Sequence, residues 1–223
     1  MRFIKKDFLL KCCQDKLTEI YDILEKKPLL DLTTLKSSDT VLIIIDMING
    51  FTKEGALRSP RVKALIPEIR NLAEKCHEDG IKVLAFADNH VLDSPEFENY
   101  PTHCVADTSE SEVVDEIKEL GDYTLIKKNS TNSFLEPVFQ QWLKENPQVK
   151  NFIVVGDCTD ICIEQFTITL KAHFNRINQQ SRIIVPTNMV DTFNLGLHYA
   201  ELMNIMALFF MQNNGIELVS EVI

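Results

Sequence analysis

Six short apolar runs, each bounded by polar residues and separated from the next by longer intervening segments, leave this chain few ways to fold. They are "VLIIID" at 41–46, "IKVLAFAD" at 81–88, "YTLIKK" at 123–128, "NFIVVG" at 151–156, "RIIVPTNMVD" at 182–191 and "IELVS" at 216–220. Continuous rather than alternating apolar runs mark strands buried on both faces, the condition of a parallel sheet covered by helices. Helical stretches fall between them: residues 63–78, stopped by Asp79-Gly80; "SESEVVDEIKEL" at 109–120, with a serine-to-glutamate capping pattern; "EPVFQQWLKEN" at 136–146; the segment after Gly156 through about Phe174; and residues 198–214. The expectation is a doubly wound α/β fold, a six-stranded, mostly parallel sheet with helices on both faces.

Ahead of the first strand, Leu10, Cys13, Leu17, Ile20, Tyr21 and Leu24 recur at steps of three and four, and Pro28 closes the pattern. This divides the chain into an N-terminal helical arm, residues 1–36, and a main domain, residues 37–223. A one-sided apolar helix must cover something, either the body of its own chain or a second subunit. The 223 residues suffice for one large domain, and the 45% apolar and 25% charged content is that of a globular protein. A net charge of −10 argues against nucleic acid and anionic membranes as partners. The reading holds no membrane span and no secretory signal. Six cysteines scattered without C-x-x-C pairing fit a reducing, cytoplasmic setting, and the acidic chain with its amphipathic arm is expected to form a homo-oligomer.

Ligands of open parallel sheets bind at the carboxyl ends of the strands. Here those ends carry Asp46, Asp88, the Lys127-Lys128 pair, and a turn, "GDCTDICI", with thiols at 158 and 162. Two carboxylates, an ammonium pair and a thiol on one edge are a reactive set. Cys162 follows Thr159-Asp160, residues able to cap a helix, and a thiol in a first helical turn has its pKa lowered by the helix dipole. A neighbouring ammonium lowers it further, and free amides there can bind an oxyanion. Cys158 lies on the strand side of the turn and reads as a small filler. Asp88-x-His90, with His103 thirteen residues on, suits a divalent transition metal, which Glu96 can complete or tune.

Taken together, "VLIIIDMINGF", "FADNH…YPTHC", "LIKKNSTNSF" and "VVGDCTDICI" resemble the isochorismatase-like cysteine hydrolases, and the Asp-x-His segment resembles the nicotinamidase subgroup. The resemblance runs from about Val41 to the end and leaves the arm outside. It implies an Asp-Lys-Cys triad: Asp46 as general base, Lys128 as charge partner and Cys162 as nucleophile. It also implies an oxyanion hole of the Cys158 and Cys162 amides, with a cis peptide before Cys158. Asp88, His90 and His103 would hold a zinc or similar divalent ion, and Glu96 matches a ligand of some members. Phe51 and Tyr100 fall where the family surrounds the substrate ring, and Phe134 matches the phenylalanine of its pocket motif. The implied reaction is hydrolysis of a small amide, nicotinamide to nicotinate and ammonia, through a cysteine thioester. Three positions depart from the pattern: Ile48 stands for the usual glutamine, "TNSF" at 131–134 for "YSAF", and "DNHV" at 88–91 for "DWHP". The alternatives are a metal-free hydrolase of isochorismate, N-carbamoyl or ureidoacrylate substrates, and a non-catalytic member of the fold.

Overall fold

The computed structural model describes residues 5–223, so the first four residues of the expected arm lie outside it. The chain begins with α1 (Lys6–Glu25), β1 (Leu29–Leu30) and β2 (Thr40–Ile45), followed by the short α2 (Asn49–Thr52) and α3 (Pro60–Lys63) and the longer α4 (Ile66–Glu78). Next come β3 (Lys82–Asp88), α5 (Asp115–Lys118), β4 (Thr124–Lys128), α6 (Pro137–Glu145) and β5 (Asn151–Gly156). The chain closes with α7 (Glu164–Arg176), β6 (Arg182–Pro186), α8 (Ala200–Asn213), β7 (Glu217–Val219) and β8 (Glu221–Val222). All six expected strands form, in one sheet of order β4-β3-β2-β5-β6-β7. Every pairing in it is parallel.

Each central strand is buried from end to end, and its alternate residues feed two cores. Leu42 and Ile44 join Ile153, Val155 and the Ile69, Leu72 and Cys76 face of α4. Val41, Ile43 and Ile45 join Phe86, Val154, Phe139 of α6, Phe166 and Leu170 of α7, and Met211 of α8. Fully burying each large apolar side chain contributes roughly 1.5–3 kcal/mol, so the register that serves both faces is strongly preferred. The helices cover the sheet on both sides, as the continuous apolar runs require.

Two elements differ from the sequence reading. The helix expected over 109–120 is only a 3-10 turn, Ser109–Ser111, and one α-helical turn, Asp115–Lys118. Between them the backbone is extended: Val113 bridges to Ile48, and the Val114 N–H donates to the Met47 carbonyl at 3.0 Å. Both valines are buried, and burying this β-branched pair outweighs the helical capping pattern. A second addition is the small parallel pairing of β1 with β8, which ties the segment after α1 to the end of the chain. Leu30, Leu32 and Leu35 enter the core with it. Of the arm's apolar stripe only Leu24 is buried, with Ile20 packed beside it, whereas Phe8, Leu10 and Tyr21 are exposed. Among the described residues no helix is long and apolar enough to cross a membrane.

The sheet order fixes where a ligand can sit. From β2 the chain steps outward through β3 to β4, then returns to β5 on the other side. The connections leave β2 and β5 in opposite directions, which opens a crevice at their carboxyl ends.

Candidate active site

Asp46 follows the last residue of β2 and adopts a left-handed backbone, φ 56°. Its N–H donates to the Phe86 carbonyl at 3.0 Å, and its Oδ1 accepts from the Asp88 N–H at 3.0 Å. The register that pairs Asp88 with Lys128 brings the ammonium beneath both carboxylates. Lys128 Nζ lies 2.8 Å from Asp46 Oδ2 and 2.5 Å from Asp88 Oδ1, and all three side chains are essentially buried. The contact with Asp46 is an ion pair lacking hydrogen-bond alignment, so Oδ2 remains without a hydrogen-bond donor. Burial opposes the Lys128 charge, but Asp46 and Asp88 more than offset it and hold the ammonium well above its ordinary pKa. Asp46 moves the other way from the usual ion-paired carboxylate. Burial, and then the Asp88 charge, outweigh Lys128 and raise it to about 7.

On the far side of the crevice, β5 ends at Gly156 with φ 117°. A Cβ there would stand 1.9 Å from the Ile45 carbonyl oxygen, so only glycine lets β5 lie this close to β2. The Asp157–Cys158 peptide is cis. Residues Thr159–Ile163 then form a π-helical turn that leads into α7. No side chain caps this turn. Instead Thr159 donates to the Asp191 carbonyl at 3.1 Å, and Ile161 and Ile163 donate to the Cys158 carbonyl, each at 3.1 Å. Among the described residues the Cys158 N–H donates to no backbone carbonyl.

The turn points Cys162 back at the ammonium, with Nζ 3.6 Å from Sγ. Sγ, an Asp46 oxygen and an Asp88 oxygen lie within 4.8 Å of one another. The low thiol pKa expected from the helix dipole is not what this site produces. Cys162 is only 5% exposed, and burial pushes its pKa well above the ordinary value, with Lys128 the one opposing charge. A buried thiol that stays protonated needs a base at the moment of attack, and the carboxylate with a free acceptor stands next to it.

Beside this trio, one donor atom each from Asp88, His90, Glu96 and His103 lie within 4.8 Å of one another. His90 Nε2 is 3.4 Å from Asp88 Oδ1 and 3.8 Å from Glu96 Oε1. His103 Nε2 is 4.0 Å from Asp88 Oδ2 and 3.9 Å from Glu96 Oε1. Most of these separations are too long for hydrogen bonds, and His90 Nε2 is buried without a partner. The opposite nitrogens are engaged: His90 Nδ1 meets Asn129 Oδ1 at 3.2 Å, and His103 Nδ1 meets the Pro101 carbonyl at 2.7 Å. Acceptors at both Nδ1 atoms place the protons there and leave both Nε2 lone pairs facing inward, the tautomer a metal ligand requires. Two imidazoles and two carboxylates fit a borderline divalent ion such as zinc.

A cavity of about 20 Å³ joins the two clusters, lined by Asp88, Glu96 and His103 at one end and Cys158 and Cys162 at the other. Phe51 and Tyr100 wall it, their rings 5.7 and 6.2 Å from that of His103. Phe134 does not reach it. The Asn132 side chain accepts from the Phe134 N–H at 3.2 Å, and the resulting 3-10 turn sends the ring onto Phe139 and His173 instead. Leu57, Thr131, Ile161 and Phe193 complete the lining; Leu57 and Phe193 had no place in the sequence reading, whereas Thr131 heads the departing "TNSF" stretch and Ile161 lies in the cysteine turn. Phe193 follows the fifth of the six runs, that of β6, at the same sheet edge as the others, so the rule that found Asp46 and Asp88 would have found it. A larger groove, about 690 Å³, opens near Lys150 and Arg182 at the amino ends of β5 and β6. Those cations are paired with Asp39 and Glu217, and no reactive set converges there.

Comparison with known proteins bears on this geometry. A family model described as "Isochorismatase domain" matches residues 40–212. The chain is 31% identical over 237 residues to Nicotinamidase 1 of Arabidopsis thaliana, covering 93% of this chain and 95% of the relative. The nicotinamidase PncA structure from Bacillus subtilis superposes with a TM-score of 0.67 at 24% identity, covering 81% of this chain and 99% of that one. The pyrazinamidase of Pyrococcus horikoshii, solved in complex with zinc, superposes with a TM-score of 0.67 at 22% identity, covering 81% and 98%. At these identities the structural likeness speaks for the fold.

Proposed function

The chain belongs to the isochorismatase family, and on that premise we propose that it hydrolyses a small carboxamide, nicotinamide to nicotinate and ammonia, with Cys162 as nucleophile. The observation that carries this reading is the buried convergence of Asp46, Lys128 and Cys162, with Nζ 2.8 Å from Asp46 Oδ2 and 3.6 Å from Sγ. Its likeness to Nicotinamidase 1 over most of the chain supports the choice of substrate.

In this mechanism Asp46 accepts the Cys162 proton as sulfur attacks the carboxamide carbon. A raised carboxyl pKa makes Asp46 a stronger base than an ordinary aspartate, and Lys128 stabilises the negative charge that passes between oxygen and sulfur. The Cys158 and Cys162 N–H groups bind the oxyanion. Asp46 then returns the proton to the nitrogen, the C–N bond breaks, and ammonia leaves behind a thioester. Water, deprotonated by Asp46, attacks the thioester; the acid departs and the thiol is restored. Asp88, His90, Glu96 and His103 would hold a divalent ion, zinc by donor type, supplying a Lewis acid for the pyridine nitrogen. Phe51 and Tyr100 flank the ring.

The catalytic unit in this reading is residues 37–223, with 1–36 as an arm. The free state of the cysteines fits a cytoplasmic setting, and the exposed Phe8, Leu10 and Tyr21 of α1 fit a homo-oligomer. The test is ammonia release from nicotinamide and from a panel of N-carbamoyl and ureido compounds, with and without a chelator. One ammonia per nicotinate, lost on chelation, is the expected result. Turnover of a carbamoyl compound with none of nicotinamide would assign the chain to the metal-free chemistry.

A further inference from the structure

The loop between β6 and α8 holds no residue given a role above, yet it reaches the cavity over the sulfur. Phe193 lines that cavity together with Cys158, Ile161 and Cys162, and is only 8% exposed. Unlike Phe51 and Tyr100, it has no contact with His103 among the aromatic pairs. Its backbone is pinned on both sides. Before it, Asp191 Oδ1 accepts from Arg61 Nε at 3.1 Å and Asn204 Nδ2 at 2.7 Å, and the Asp191 carbonyl accepts from Thr159. After it, Asn194 Oδ1 accepts from the Ala200 N–H at 2.8 Å.

One histidine secures the ring itself. The His198 imidazole stacks on Phe193 with centroids 4.2 Å apart and 10° between planes. Its Nδ1 lies 2.8 Å from the Phe193 carbonyl and its Nε2 2.7 Å from Asp160 Oδ2. A backbone carbonyl oxygen and a carboxylate oxygen thus hold the ring from its two nitrogens. Asp160 sits in the π-helical turn two residues before Cys162. Through this histidine the position of Phe193 is referred directly to the turn that aims the sulfur.

We propose that Phe193 is the specificity wall that limits the size of the acyl group reaching Cys162, and that His198 is the positioning residue that holds it there through Asp160. The inference rests on the amide-hydrolase reading. A 20 Å³ cavity has room for about one water molecule, so a ring enters only by displacing a wall, and the identity of that wall selects the ring. Phe51 and Tyr100 pack against the candidate metal ligands, which leaves Phe193 as the aromatic whose removal enlarges the cavity at the sulfur end. The preferred substrate is therefore a single small ring bearing a carboxamide, and fused two-ring amides are excluded by contact with Phe193.

Two readouts test this. The first is the alkylation rate at Cys162, mapped by peptide mass spectrometry, with iodoacetamide and with its N-naphthyl analogue. Phe193→Ala should raise the bulky-to-small rate ratio roughly tenfold or more, the scale on which pocket volume discriminates. His198→Ala should raise it in the same direction, the double variant should go no further than Phe193→Ala, and Phe193→Leu should restore most of the wild-type ratio. The second is turnover, in which Phe193→Ala should raise KM for nicotinamide with little change in kcat and admit quinoline-3-carboxamide. A ratio unchanged by Phe193→Ala overturns the wall. A ratio unchanged by His198→Ala, with only Tm lowered, overturns the positioning role. If the wild-type protein released no ammonia from nicotinamide, the proposed function would fall, and the alkylation ratio would still decide the inference.

Discussion

Lys128 is the residue on which the site's electrostatics turn. Among the described residues its ammonium is the only lysine or arginine cation in contact with Asp46 and Asp88, both fully or nearly fully buried. Lys128→Met should destabilise the fold by about 3–5 kcal/mol in urea titration, because two uncompensated carboxylates remain inside. Only a small change in the midpoint would mean that the carboxylates find other partners. Asp46 gives a pH prediction with a definite sign. Its carboxyl is raised to about 7, so below that pH it is protonated and cannot accept the thiol proton. kcat/KM should therefore fall as pH drops through neutrality. An acid limb near the ordinary aspartate value of about 4 would contradict the assignment. Sequence reading placed Asp46, Lys128 and Cys162 on one edge but misjudged the thiol, because the helix dipole is visible in a motif and the burial of Cys162 is not.

At the scale of elements, the crevice depends on how closely β5 approaches β2. Gly156 makes that approach possible, and Gly156→Ala places a Cβ 1.9 Å from the Ile45 oxygen on a backbone of φ 117°. We expect a loss of about 3 kcal/mol or more in thermal or urea unfolding; a neutral effect would mean the strands can part without harm. The six strands were legible because burial on both faces leaves continuous apolar runs with no helical alternative of that length. The 109–120 helix was not, since its capping pattern is local whereas the pairing of Val113 with Ile48 joins residues far apart in the chain. Phe134 fails to reach the cavity for a similar reason, its turn being set by the Asn132 side chain. The candidate metal cluster was partly legible, because a strand end and the loop that follows it hold Asp88, His90, Glu96 and His103 on one short piece of chain, and the family resemblance supplied the rest.

For the whole molecule, the proposed homo-oligomer is tested at α1. Its C-terminal half packs through Ile20 and Leu24, but Phe8, Leu10 and Tyr21 face outward. Light scattering should give a multiple of the chain mass, and Leu10→Glu should lower it without altering ammonia release; a monomeric wild type would remove the oligomer from the account. Dialysis against a chelator should abolish turnover of nicotinamide, zinc should restore it, and His90→Ala should leave the protein folded with less bound metal by elemental analysis. Full activity in metal-free protein would refute the role given to that cluster. The central claim is that Cys162 becomes acylated. Rapid quenching during nicotinamide turnover, followed by mass spectrometry, tests it directly. The account predicts one nicotinoyl group on the peptide carrying Cys162, absent in Cys162→Ala along with all ammonia release; turnover that proceeds in Cys162→Ala, with no acylated peptide in the wild type, would contradict it.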